Sequence, residues 1–211
     1  KINHQSQPAI TFDTDIKQVT GPAWAKAQMH CLLPNNLLQG TWSCKDGKFV
    51  SPRINLPFAL DVTPQPKGFV ANLNLQGASF SDEAGLHAAE KLKGYFTIAA
   101  TQDGDVLRFN SALNWQSGEM FWQPLYFANG GHELQAAGNL KDDVLTLDNA
   151  TLKLDKVGDL KFSGQVNTKT FMIPKLNADL PNLNLAEAYP LLFKPFLGKT
   201  MLNNAELNGR A

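Results

Sequence analysis

From Glu133 to Leu185 the apolar residues of this chain keep falling on alternate positions. Leu145 and Leu147 alternate, then Leu152 and Leu154, then Leu160, Phe162 and Val166, then Leu176, Ala178 and Leu180. Successive side chains of a strand point to opposite faces, so period-two spacing yields one apolar face and one wetted face. The intervening positions are mostly Asn, Lys, Thr, Asp and Gln. A chain of this kind builds a large one-sided β surface. That surface needs a cover: a second sheet, the same sheet curling over, or an apolar ligand.

The same rhythm extends upstream. Leu56, Phe58 and Leu60 alternate despite Pro57, which suits an edge strand. Ala71, Leu73 and Leu75 alternate against Asn72, Asn74 and Gln76. Phe96, Ile98 and Ala100 lead into Gln102-Asp103-Gly104-Asp105, and Leu107, Phe109, Leu113 and Trp115 return; Asp-Gly between alternating runs is a strong hairpin signal. Further turns are expected at Lys45-Asp46-Gly47-Lys48, Asn129-Gly130-Gly131 and Lys141-Asp142-Asp143. A separate strand is expected at Met120 and Trp122, and another at Phe171 to Ile173. At Asp148-Asn149 the apolar phase slips by one, which marks a turn or bulge.

Helical signals are few. Ala23 to Met29 has the composition for about two turns. Ser81, Asp82 and Glu83 followed by Leu86, Ala89 and Leu92, with Gly94 as terminator, predict a short helix over 82–93. A second helix is expected over 185–197, with Asn184 and Glu187 in capping-box relation and Gly198 as its end. Pro190 and Pro195 should bend or split it. Its Leu191, Leu192, Phe193, Phe196 and Leu197 suit a plug at one end of the β core, or else a lid that touches lipid. The predicted fold class is therefore mainly β. It is an antiparallel meander forming a curved, groove-like sheet with two short helices. Residues 1–70 form an N-terminal β segment with a cysteine loop and 71–211 a β-groove repeat region, which together could make one domain.

Nineteen basic and nineteen acidic residues cancel, and no basic patch stands out, which argues against nucleic acid as a partner. Charged residues are 18% of the chain, below the usual quarter. The four histidines, His4, His30, His87 and His132, are scattered, and the motifs HExxH and GxSxG and a phosphate-binding glycine loop are absent. Glu119 lies between Trp115 and Trp122, but a glycosidase needs two carboxylates at a set separation. The expectation is a binding or conduit protein without catalytic residues, cofactor or metal. There is no apolar run long enough to span a bilayer. Lys1 stands where a Met would begin a chain, and the alternation of Ala205, Leu207 and Gly209 stops in mid-pattern. Both features read as a fragment of something longer.

Cys31 and Cys44 bracket a segment with an Asn-Asn pair and a Gly, which suits a loop or hairpin closed by a disulfide. Two reduced, buried thiols are the alternative, and a metal pair with His30 a third. A disulfide would point to a periplasmic or extracellular compartment. The rings of Trp115, Phe121, Trp122, Tyr126 and Phe127 are locally concentrated. They suit sheet-face packing, or alternatively a glycan- or protein-binding platform on an extracytoplasmic β-sandwich.

The stretch from Gly138 to Leu185 contains G-N-L-K-D-D-V-L-T-L-D-N-A-T-L-K-L, then V-G-D-L-K-F-S-G-Q-V-N, then L-N-A-D-L-P-N-L-N-L. This theme resembles the AsmA-like and TamB-like proteins of Gram-negative envelopes, including YdbH-type members. The likeness covers the last third well and Asn72 to Trp115 loosely. It implies a long curved sheet folded into a groove with an apolar lining. It also implies an inner-membrane anchor, a reach through the periplasm, and conduction of phospholipid toward the outer membrane or support of envelope assembly. On this view lipid acyl chains are the partner, with other envelope proteins as further candidates. Leu145, Leu147, Leu160, Phe162, Val166, Leu176 and Leu180 would line the groove. The Cys31–Cys44 segment and the helix predicted from Ser81 to Gly94 lie outside the shared pattern.

Overall fold

Alternation that runs almost unbroken, punctuated by tight turns, lets each strand pair with the next. The computed structural model describes residues 8–17, 24–197, 200 and 205–210. Its strands are β1 (Ala9–Lys17), β2 (Trp24–Leu32), β3 (Trp42–Ser51), β4 (Ile54–Gln65), β5 (Gly68–Ser81) and β6 (His87–Asp103). They continue with β7 (Val106–Trp122), β8 (Leu125–Phe127), β9 (His132–Lys141), β10 (Val144–Leu154), β11 (Gly158–Asn167) and β12 (Lys175–Asp179). All belong to one 12-stranded antiparallel meander in chain order, with β8 set beside the end of β7. The β4–β5 pairing carries the sheet across residue 70. Among the described residues β1 pairs only with β2 and β12 only with β11, so the sheet is open at both edges.

The turns follow their chemistry. Asp103 faces Val106 across Gly104 and Asp105, with Gly104 at φ 62°. Lys141 faces Val144 across Asp142 (φ 48°) and Asp143 (φ 62°). Two consecutive left-handed residues are what a two-residue hairpin turn requires. The phase slip at Asp148-Asn149 is a bulge inside a continuous β10, where pairing with both neighbours shifts after Leu147.

Several local expectations are corrected. The helix predicted over 82–93 is absent: residues 82–86 form a turn and the remainder opens β6. Its helical spacing arises from a bulge. Ala89 and Leu92 pair with Phe80 and Ala78, because the ladder slips between them around Lys91 (φ 54°). Ala23 to Met29 falls largely in β2, where Ala25, Ala27, Met29 and Cys31 alternate with Lys26, Gln28 and His30; here pairing overrides the helix propensity of alanine. Asp46-Gly47 is a bulge within β3 rather than a turn. Pro57 lies in an interior strand, at a lapse in the β4–β5 ladder between Asn55 and Phe58 where its missing N–H costs no bond. Met120 and Trp122 continue β7, which bends at Gly118 (φ 105°). Phe171 to Ile173 is an irregular connection.

The expected second helix is present as three short pieces. An α turn (α1, Leu185–Ala188) passes into a π-helical turn (Tyr189–Phe193) and a 3-10 turn (Lys194–Phe196). Pro190 and Pro195 lack the N–H a continuous α-helix needs, and the pitch changes around them. The capping box does not form. The Asn184 side chain instead donates to the Lys156 carbonyl at 3.1 Å, tying the segment to the β10–β11 turn. Gly198 and His4 lie outside the described residues, as do residues 202–204 and 211 of the tail, whereas Ala205, Leu207 and Gly209 are among those described.

Candidate functional site: an open apolar face

Residues directly opposite one another in an antiparallel ladder share a face. Following the pairs across the sheet gives Ile10, Cys31, Cys44, Leu60, Leu73, Phe96, Leu113, Leu134, Leu152 and Leu160, one per strand from β1 to β11 with β8 aside. Every member is apolar. A second row runs Phe69, Ala100, Phe109, Gly138, Leu147, Gly164, Leu176. Glycine there lets a ring lie close to the backbone. A Cβ at Gly138 would stand 2.1 Å from the Thr146 carbonyl oxygen and 3.0 Å from the Phe109 ring. The Phe58 ring covers Gly47 in the same way. The bulges at Asp46, Gly77, Lys91 and Gly118 flip the sequence parity of successive strands, yet the apolar residues stay on one face.

The opposite face is polar. One of its rows reads Asp61, Asn72, Thr97, Ala112, Gln135, Thr151, Lys161, Asp179. Thr97 donates to Asn72 at 2.9 Å, Gln28 donates to Asp13 at 3.1 Å, and Lys26 and Lys153 pair with Asp15 and Glu133. Such exposed contacts are worth a few tenths of a kcal/mol to about 1 kcal/mol each.

Among the described residues no second layer covers the central apolar rows. Leu60, Leu73, Phe96, Leu113 and Leu134 are all partly exposed. Among the described residues no large side chain is fully buried, and apart from Leu154 at the plugged end the covered apolar sheet positions are small: Cys31, Cys44, Ala78, Ala89, Ala100 and Ala150. The chain exposes 14340 Å², against about 9,700 Å² for a compact protein of its mass. Leaving a quarter of a leucine in water forfeits roughly 0.5 kcal/mol, and the sheet repeats this at strand after strand.

One end of the face is closed. Leu154, Val157, Leu183 and Ala188 form a small core, with Phe127, Leu152, Leu185, Leu191 and Leu192 packed on it. The helical segment thus plugs the sheet where β8 and β10 end and β11 begins. Next to it Trp115, Phe127 and His132 meet edge to face, with centroids 4.9–5.9 Å apart. A cleft of 320 Å³ runs between the β8–β9 loop and the plug, lined in part by His132, Asp155, Glu187 and Leu191.

Burial pushes the His132 pKa below its ordinary value, outweighing the opposing pull of a hydrogen bond with the Asn129 backbone and of the Asp155 charge. Its Nδ1 accepts the Asp155 backbone N–H at 3.1 Å, which places the proton of the neutral ring on Nε2. The folded form therefore prefers neutral His132, whereas the unfolded chain takes up a proton from about pH 6.5 downward. The stability this group contributes is present above that pH and is lost as pH falls through the lower folded pKa. His132→Phe keeps the ring cluster and removes the titration. Between pH 7 and pH 5 its melting temperature should fall less than that of the parent; parallel pH profiles would show that His132 does not set the slope.

The residues expected to line a groove are found as follows. Leu145 faces Val166, Leu147 and Leu176 share a row through Gly164, Phe162 lies between Ala150 and Ala178, and Leu160 faces Leu152. All six stand on the apolar face. Leu180 is one residue past β12 and is exposed. Leu60, Leu73, Phe96, Phe109, Leu113 and Leu134 belong to the same face and were not among the expected lining residues, although their own alternation marks them. Cys31 and Cys44 form a disulfide between directly opposed residues of β2 and β3, inside the first apolar row.

The local aromatics divide between the faces. Trp115, Trp122 and Phe127 stand on the apolar side, whereas Phe121 pairs with Tyr126 on the polar side. Trp122 is 52% exposed and lies 4.2 Å from the His87 ring, which is held by Asp82. Tyr126 donates to Glu119 at 2.7 Å, and that bond raises its pKa. Among the described residues, no group of three or more His, Cys, Asp or Glu side chains is arranged to hold a metal. No described helix is long and apolar enough to cross a membrane. Neither a protein-family model, nor a curated protein, nor a solved structure matches this chain.

Proposed function

We propose that this chain is a periplasmic groove segment of an AsmA-like, inner-membrane-anchored envelope protein. Its open apolar face shields lipid acyl chains from water as phospholipid passes between the inner and outer membranes, or as the outer membrane is assembled. One observation carries the reading: an unbroken apolar row crosses the sheet strand by strand, partly exposed over its central strands and, among the described residues, without a second layer. Acyl chains are the cover that fits, because they need apolar area of indefinite length and no fixed polar partners. The disulfide accords with an oxidising compartment.

The test is native mass spectrometry of the purified protein, with organic extraction and analysis of whatever dissociates. Near-stoichiometric phospholipid, or its uptake from added micelles, is expected. A clean mass that takes up no lipid would sink the acyl-chain reading. It would favour the second reading, a glycan- or protein-binding module, for which the exposed Trp122 beside His87 is the starting point.

A further inference from the structure

From Thr168 to Leu180 every residue is exposed. This stretch is neither polar nor loose. Asn167 Oδ1 accepts the backbone N–H groups of Lys169 and Thr170 at 3.0 and 2.9 Å, and Thr168 Oγ1 donates to the Asp143 carbonyl at 3.0 Å. The Phe171 N–H donates to the Asn167 carbonyl at 2.8 Å, and Lys169 pairs with Asp143. A hydrogen-bonded connection thus displays Phe171, Met172 and Ile173 at 79, 67 and 58% exposure, and Leu176 in the adjoining strand stands at 62%. Apolar side chains presented this way on an ordered edge mark an interaction surface. Among the described residues no strand pairs with the outer side of β12, which leaves the backbone beside them an open template for another strand.

The side chains of β12 indicate which strand fits. Lys175 and Asp179 lie two positions either side of Asn177, on the polar face. Neither forms an ion pair with another described residue, although Asp179 sits opposite Lys161. Rotating a second copy by a half turn about an axis normal to the sheet, standing just outside the edge at the level of Asn177, pairs the strand with itself antiparallel. Lys175 then meets Asp179 of the second copy, twice by symmetry. Leu176 meets Ala178 on the apolar face, and Asn177 meets Asn177 on the polar one. Met172 and Ile173 fall beside the other copy's chain just past its β12. The opposite edge lacks this complementarity. Self-pairing of β1 about its centre puts Asp13 against Asp13, and Asp15 is already engaged by Lys26.

We propose that β12 is a self-complementary edge through which two copies of this chain join into one continuous sheet. The half-turn axis keeps both apolar faces on the same side, so the dimer carries a single apolar face of doubled width. The inference does not depend on what covers that face.

Sedimentation velocity over a wide concentration range tests it, with three samples besides the parent. Lys175→Asp and Asp179→Lys each place like charges opposite one another at two sites and should weaken the dimer about tenfold. Mixing the two variants restores opposite charges at both sites, so the mixture should dimerise as well as the parent. A parent that stays monomeric, because another partner or a distant part of its own chain takes the edge, overturns the proposal. So does a dimer that is indifferent to both substitutions, as pairing through β1 would be. A mixture no stronger than its components also overturns it.

Discussion

Leu113→Asp should abolish lipid capture, whereas Ala112→Asp, one residue away, should leave it intact. The two positions are adjacent in β7 and face opposite sides of the sheet. Leu113 stands mid-row between Phe96 and Leu134, and Ala112 between Thr97 and Gln135. A carboxylate at 113 must either stay hydrated, which holds acyl chains away from the centre of the row, or be desolvated at a cost of several kcal/mol. At 112 it joins a face already made of Asn, Thr and Gln. Both positions are solvent-accessible, so neither substitution buries a charge in a closed core, and circular dichroism should report the parent's strand content for both. The measurement is uptake of a fluorescent phospholipid, with at least a tenfold loss expected for Leu113→Asp. Equal uptake by the two variants would mean that the row does not hold the lipid. The same comparison applies to Leu147 and Phe162, which share the apolar face.

The second large effect concerns the disulfide. Cys31 and Cys44 are 13 residues apart in sequence and lie opposite one another in β2 and β3, with 8 and 6% exposure. Closing a loop of this length stabilises a fold by about 3 kcal/mol in the chain-entropy model. For a protein of this size that corresponds to a loss of roughly 6 to 12 °C in melting temperature. Cys31→Ala with Cys44→Ala should show this drop, because alanine keeps the row apolar and leaves only the cross-link missing. Hydrogen exchange should accelerate first in β1 and β2. These strands form an open edge whose Ile10, Phe12 and Ile16 are largely exposed, so the cross-link is a principal tie between them and the rest of the sheet. An unchanged melting temperature after reduction would show that pairing alone holds the edge.

Much of the architecture was legible in the residues, and several of the misreadings share one cause. Strand character and one-sidedness follow from alternation, a local property, and so do the hairpins at Gly104 and Asp142-Asp143. Alternation fails as a guide where a bulge inserts a residue. At Lys91 the slip makes Ala89 and Leu92 look helical, although both stand on the apolar face opposite Phe80 and Ala78. At Asp46-Gly47 and Gly118 the same slip imitates a turn or the start of a new strand. The helical plug was recognisable from its leucines and its prolines. Its attachment through Asn184 to the β10–β11 turn was not, because that contact joins residues 28 positions apart.

The sequence by itself determined that this chain is a β meander with one apolar and one polar face, since the period of two and the turn residues leave a strand little choice. Only the tertiary structure decided that the apolar residues of successive strands align into rows running nearly the whole width of the sheet. Register depends on where bulges fall in neighbouring strands, and no single strand encodes that. The tertiary structure also decided that the sheet stays open. Whether a twisted sheet closes, doubles over or leaves its face to a ligand depends on the accumulated twist and bend of all its strands, a sum that local patterning does not contain.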